Sequence, residues 1–271
     1  MKRILFFLFC VLSLEAKIVV AVSVAPQAWL AKSIGGDIEV ITLAPANSSS
    51  HSYEPKIADL VQIARADMYL ACGIEFEKAW LNRFGDNAPK IKIFYTDRNI
   101  VKILAHDEPD THIWLSPENM RTMAEETVRA FMTIDAKNSA IYLKNGADTI
   151  QKIEDIQNEL NAKFAPYKNR AFLVYHPALG YFAQEFNLRQ IAIEHDHLEP
   201  KPAQLGAIIT IAREQHIKTI FIEPNTAHKT ASVVADTIGA KIVAVPIVSD
   251  DWITLIEQLA ANILRAFDES N

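Results

Sequence analysis

Apolar positions along this chain follow two rhythms, and their alternation names a fold class. Short β-branched runs at residues 17–23, 38–44, 68–72 and 91–95 are almost continuously apolar. Strands covered on both faces look like this, whereas strands with one wet face alternate. Between these runs, residues 27–34 and 55–64 space their apolar positions as helices do. The pattern restarts at residue 171, predicting strands at 171–175, 189–194, 219–222 and 241–245 and helices at 180–186, 202–215 and 227–238. The chain reads as α/β, with two similar lobes, each a parallel sheet flanked by helices.

A different pattern joins the halves. Ser116-Pro117-Glu118 opens a helix with a capping serine, a proline at the first position and an acid in the first turn. Met120, Met123, Ala124, Thr127, Val128 and Phe131 then recur at helical spacing. A second helix is predicted over residues 138–164, before Ala165-Pro166-Tyr167 breaks it. About 27 residues at 1.5 Å each span roughly 40 Å, enough for a long rigid helix between the lobes. An ordinary peripheral helix fits the same pattern.

The start of the chain changes the compartment. Met1-Lys2-Arg3 is basic, residues 4–14 are almost purely apolar, and the run ends at Ser13-Leu14-Glu15-Ala16. This reads as a secretory signal cleaved after Ala16; a membrane span needs roughly 20 apolar residues. Export would remove Cys10 and leave Cys72 as the single cysteine, so no intramolecular disulfide can form. About 255 remaining residues bury a sufficient core without one. Cys72 lies in the apolar run Met68-Tyr69-Leu70-Ala71-Cys72 and reads as a small buried hydrophobe. Losing Lys2, Arg3 and Glu15 moves the formal charge from −6 to −7. That balance argues against nucleic acid as a partner and does not name a ligand.

Three of the eight histidines carry the candidate chemistry. His51 follows the polar loop 47–50, His112 directly precedes the Ser116 helix start, and His176 directly follows the strand 171–175. Ligands gather at the carboxyl ends of strands in open α/β sheets, so two facing lobes would bring these positions to one cleft. Three neutral imidazoles suit zinc and leave one tetrahedral position for water or a carboxylate. Taken singly, each histidine is better explained by a surface or hydrogen-bonded role, since metal ligation is only one use of the side chain. His106 in His-Asp-Glu-Pro-Asp, and His195 and His197 in Glu-His-Asp-His-Leu-Glu, are candidates for a weak second ion or for solvated loops. His216 and His228 lack such clustering.

The segments around these histidines resemble the metal-binding substrate-binding proteins of bacterial ABC transporters, in particular their zinc-uptake branch. The resemblance rests on His51-Ser-Tyr-Glu-Pro55, His112-Ile-Trp-Leu-Ser-Pro117 and Tyr175-His-Pro-Ala-Leu-Gly-Tyr-Phe182, with Glu199-Pro-Lys-Pro202 and Phe221-Ile-Glu-Pro-Asn225 in the expected order. It implies two lobes joined by a long helix, with zinc held between them by His51, His112 and His176 and passed to an inner-membrane ABC permease from the periplasm. The division that follows is a signal at 1–16, an N-terminal metal-binding lobe at 17–137, a connecting helix at 138–167 and a C-terminal metal-binding lobe at 168–271. A non-enzymatic monomer is expected. Manganese-binding relatives usually carry a carboxylate at the position of His176, which favours zinc here. Ser50 and Val245 stand where many relatives have acids, leaving water, Asp250 or Asp251 for the fourth position. Glu223 is a candidate acceptor for a ligand's imidazole N–H. The alternatives are uptake of another divalent metal such as manganese, or an exported zinc hydrolase, since three histidines and a water also describe catalytic zinc. For the hydrolase, only Glu54 and Glu223 offer themselves as a general base.

Overall fold

The computed structural model describes residues 17–44, 53–87, 90–105, 108–194, 198–224 and 229–270. The leader, Ser50, His51, His106, His195, His197 and His228 lie outside them.

The N-terminal lobe runs β1 (Val19–Val24), α1 (Ala25–Gly35), β2 (Glu39–Ala44), α2 (Ile57–Ile63), β3 (Met68–Ala71), α3 (Glu75–Asn87) and β4 (Lys92–Tyr95). Its strands are all parallel, in the order β2-β1-β3-β4. The central strands β1 and β3 are sealed on both faces, which is why their sequences do not alternate. A short antiparallel pair, β5 (Leu104–Ala105) and β6 (Glu108–Pro109), leads to a 3₁₀ turn at Ile113–Leu115. Then come α4 (Pro117–Ile134) and the long helix α5 (Ser139–Phe164).

The C-terminal lobe runs β7 (Ala171–Val174), α6 (Gly180–Glu185), β8 (Arg189–Ala192), α7 (Pro202–Glu214), β9 (Thr219–Ile222), α8 (Lys229–Ile238), β10 (Lys241–Ala244) and α9 (Trp252–Glu269). Its sheet is again parallel, in the order β10-β9-β7-β8. In both lobes the first strand is central, the second lies on one side, and the third and fourth on the other. The lobes therefore share one topology.

Helix α5 ties the lobes together. Asn145 Nδ2 donates to the Ile34 carbonyl at the end of α1 at 3.0 Å, and Gln157 Nε2 donates to Glu185 of α6 at 2.8 Å. Gly146 lets α5 lie close on α4, because a Cβ there would sit 2.3 Å from Val128 Cγ2. Strand β7 shows how the core divides. Phe172 and Val174 face the main core, continuous with the N-terminal lobe, while Ala171 and Leu173 face a smaller core under α7 and α8, as the two-residue period of a strand requires.

The structure departs from the sequence reading in several elements and agrees with it at Cys72. Helices α3 and α9 and the β5–β6 pair lie in stretches whose pattern predicts no element above. Strand β8 stops at Ala192, although Glu194 N still donates to the Tyr175 carbonyl at 2.9 Å. Cys72 is buried and free, as its apolar surroundings imply.

Candidate metal centre

A chain reversal in strand order leaves a crevice at the carboxyl ends of the strands where successive connections diverge. In the C-terminal lobe this crevice lies between β7 and β9, and His176 is the second residue beyond β7. The Tyr175 amide donates to the Phe221 carbonyl at 2.8 Å, which fixes the chain just before the histidine.

His112 arrives from the N-terminal lobe through the β5–β6 pair and is 3 % exposed. Asp110, two residues earlier, holds it twice. Asp110 Oδ1 accepts from the His112 backbone N–H at 2.9 Å and from the ring Nδ1 at 2.8 Å. A carboxylate only accepts, so this contact suits the tautomer with the ring proton on Nδ1 and the lone pair on Nε2. That Nε2 lies 3.3 Å from His176 Nε2, with the two rings edge to face. On its other side His176 Nδ1 is 3.5 Å from Glu194 Oε2. The structure thus brings His112 and His176 together. His51, the third expected ligand, lies outside the described residues, and among those residues no group of three His, Cys, Asp or Glu side chains is placed to hold one ion.

The lobes are locked where His112 lies. Trp114 Nε1 donates to the Ile247 carbonyl and Trp252 Nε1 donates to the Trp114 carbonyl, each at 2.7 Å. Both rings are fully buried, so each indole N–H needs that acceptor. Tyr181 OH donates to the Asp110 carbonyl at 3.0 Å. Glu185 accepts from the Ser116 hydroxyl, the Glu118 amide and Gln157, joining α6, the start of α4 and α5. Burial pushes the Glu185 carboxyl up, against those hydrogen bonds.

Of the fourth-ligand candidates, Asp251 caps α9. Its Oδ1 accepts from Thr254 N at 3.2 Å and its Oδ2 from Thr254 Oγ1 at 2.7 Å. Asp250 is exposed beside it, and Glu223 follows the end of β9. Val245 is buried.

The corresponding N-terminal crevice, between β1 and β3, holds a different group. The Glu77 carboxylate, 2 % exposed, accepts from Ser23 Oγ, Cys72 N and Gly73 N. Ser23 Oγ also meets Tyr69 OH at 2.6 Å. Burial raises the Glu77 carboxyl above its ordinary range. Sequence reasoning singled out neither this network nor the tryptophan clasp. The Asp110–His112 pair did carry a local signal: an acid two residues before a histidine can reach both its backbone and its ring N–H.

The zinc-uptake complex component A periplasmic family, ZnuA, matches residues 20–266. The chain belongs to this family. It is similar to the high-affinity zinc uptake system protein ZnuA of Bacillus subtilis, 25 % identical over 225 residues that cover 76 % of this chain and 70 % of that one. It is also similar to the zinc-binding protein AdcA of Streptococcus pyogenes, 24 % identical over 256 residues, of which it spans half the length. A crystal structure of ZnuA superposes with a TM-score of 0.88 at 30 % identity, covering 93 % of this chain and 99 % of that one. Among the described residues no helix is long and apolar enough to cross a membrane.

Proposed function

We propose that this protein binds zinc in the periplasm between its two lobes, through His51, His112 and His176, and delivers it to an inner-membrane ABC permease for import. The observation that carries this reading is the spacing of the two described imidazoles. Two nitrogens bound to one tetrahedral zinc at about 2.0–2.1 Å lie about 3.3–3.4 Å from each other. His112 Nε2 and His176 Nε2 are 3.3 Å apart. That separation is long for a hydrogen bond and matches the edge of a zinc tetrahedron.

The rest of the reading extends this assignment to the whole chain. Residues 1–16 act as a cleaved export signal. Residues 17–137 and 168–271 form the two metal-binding lobes, with 138–167 as the rigid connector. The mature protein works as a monomer and performs no catalysis, its cargo leaving unchanged. Trp114, Trp252, Tyr181 and Glu185 hold the lobes in fixed relation. Zinc therefore enters and leaves by rearrangement of the loops around the site, without a wide rotation of one lobe on the other. His176 is the more accessible of the two imidazoles, its side chain 10 % exposed against 4 % for His112. The ion is expected to meet His176 before it reaches His112.

Stripping the purified mature chain and titrating zinc against a chromophoric chelator tests the assignment. One tight equivalent is expected, weakening as the solution is acidified because ligating imidazoles must be neutral. Absence of stoichiometric binding, or affinity indifferent to acid, would reject it.

A further inference from the structure

Asp110 is an unusual residue to find buried. It is 3 % exposed, and among the described residues its only ion-pair partner is His112. Oδ1 is engaged twice by His112, but Oδ2 is buried without a hydrogen-bond partner. A buried carboxylate oxygen without a partner is costly, and each such group in a folded protein calls for a reason. The C-terminal lobe closes directly over this oxygen: a Cβ on Gly180 would come within 2.8 Å of Asp110 Oδ2. The neighbouring Tyr181 hydroxyl holds the Asp110 carbonyl. The carboxylate is therefore packed behind the imidazole and beneath Gly180.

His176 has a carboxylate neighbour at longer range. Glu194 Oε2 stands 3.5 Å from His176 Nδ1, its side chain 12 % exposed and its backbone N–H fixed to the Tyr175 carbonyl. Each imidazole thus has its Nε2 toward the other and its Nδ1 toward a carboxylate. Three neutral imidazoles would leave the two positive charges of zinc unbalanced, and two carboxylates match that charge. No carboxylate is then needed on the ion, consistent with a buried valine at 245 and with Asp251 committed to capping α9.

Resting on the proposed zinc site, we infer that Asp110 and Glu194 are its positioning residues: they fix the ligand imidazoles from behind and balance the ion's charge in place of a directly bound carboxylate. A carboxylate accepting the distal N–H sets the tautomer and raises the basicity of the ligating nitrogen, and loss of such a partner typically weakens metal binding about 10–100-fold.

Asp110→Asn and Glu194→Gln keep an oxygen acceptor and remove the charge. Zinc competition titrations of the mature protein should show each variant weakened about tenfold and the double variant about a hundredfold, with the metal-free melting temperature of Asp110→Asn no lower than that of the parent. Nitrogen-15 NMR of the metal-free protein gives a second readout, independent of loading. His112 should be the Nδ1–H tautomer in the parent and in Asp110→Asn, and should lose that preference in Asp110→Ala. X-ray absorption of the zinc-loaded parent should show imidazoles and no bound carboxylate. A double variant with parental affinity, a His112 tautomer indifferent to Asp110→Ala, or a carboxylate on the zinc would each overturn the inference. His112→Ala and His176→Ala separate the two levels. If they abolish tight binding while the double variant does not, only this inference fails; if they too bind like the parent, the site itself is misplaced.

Discussion

In the N-terminal lobe the crevice between β1 and β3 is closed by Glu77, whose carboxylate gathers Ser23 and the amides of Cys72 and Gly73. In the C-terminal lobe the equivalent crevice between β7 and β9 ends in His176, whose Nε2 faces His112 across the lobe boundary. The strand order is the same, so the backbone provides the same kind of place twice. One is filled by an internal hydrogen-bond network and contributes to stability. The other opens toward a partner imidazole and, on the proposed function, contributes to binding. Topology locates a crevice, and the side chains beyond the strand ends decide whether it becomes core or site.

If the crevices have divided these roles, substitutions in them should have opposite signatures. The largest effect is expected from His176→Ala on zinc affinity. Tight tetrahedral sites are worth about 10–16 kcal/mol in all, so losing one ligand of four should weaken binding about a hundred- to a thousandfold. Chelator competition measures this directly. In the metal-free protein the same substitution should change unfolding free energy by less than about 1 kcal/mol.

Glu77→Ala should do the reverse. It leaves the buried Cys72 amide and the part-buried Gly73 amide without their acceptor, at about 1–3 kcal/mol for a buried group, so urea unfolding of the metal-free protein should show a loss of about 2–4 kcal/mol. Zinc affinity of the fraction that remains folded should be close to that of the parent. A Glu77→Ala protein of parental stability would mean that the N-terminal crevice is not built around this carboxylate.

A smaller effect distinguishes the lobe boundary from both crevices. Burial holds the Glu185 carboxyl above its ordinary value of 4.5, so the folded state keeps its proton more tightly than the unfolded chain does. The sign follows: the contribution of this group to stability is fullest below the ordinary value and declines as pH rises through the raised one. Glu185→Gln removes that decline. Its stability relative to the parent should therefore improve from about pH 4.5 upward, as read from urea midpoints across pH. Parallel profiles would show that Glu185 is not held in its proton-retaining state.

Much of this architecture is legible from local pattern. The apolar runs at β1, β3, β7 and β9 mark buried parallel strands, and Ser116 caps α4 through Asn119 N at 3.2 Å, as its position before Pro117 implies. Helix α9 has an equally regular buried face at Trp252, Leu255, Ile256, Leu259 and Ile263, with Asp251 as cap, so its signal is present although that stretch was not assigned. Helix α3 has a weaker one: acids in its first turn mark the start, but the residue before it is Ile74, which has no polar side chain to signal a cap. The site is legible to a different degree. Asp110 and His112 are two residues apart and their pairing is a local event. His112 and His176 are 64 residues apart, and nothing in the intervening sequence fixes their distance. Their meeting depends on Trp114, Trp252 and Glu185 assembling the lobe boundary, a long-range packing outcome that the strand-end rule and motif resemblance anticipated and local pattern does not fix.

The central claim is that one zinc ion is held jointly by both lobes. Diffraction from crystals of the zinc-loaded protein, collected on both sides of the zinc absorption edge, tests it most directly. A single anomalous peak about 2.0–2.1 Å from both His112 Nε2 and His176 Nε2, with His51 completing the imidazole set, is the predicted result. A peak bound by residues of one lobe alone, or lying away from these two nitrogens, would contradict it.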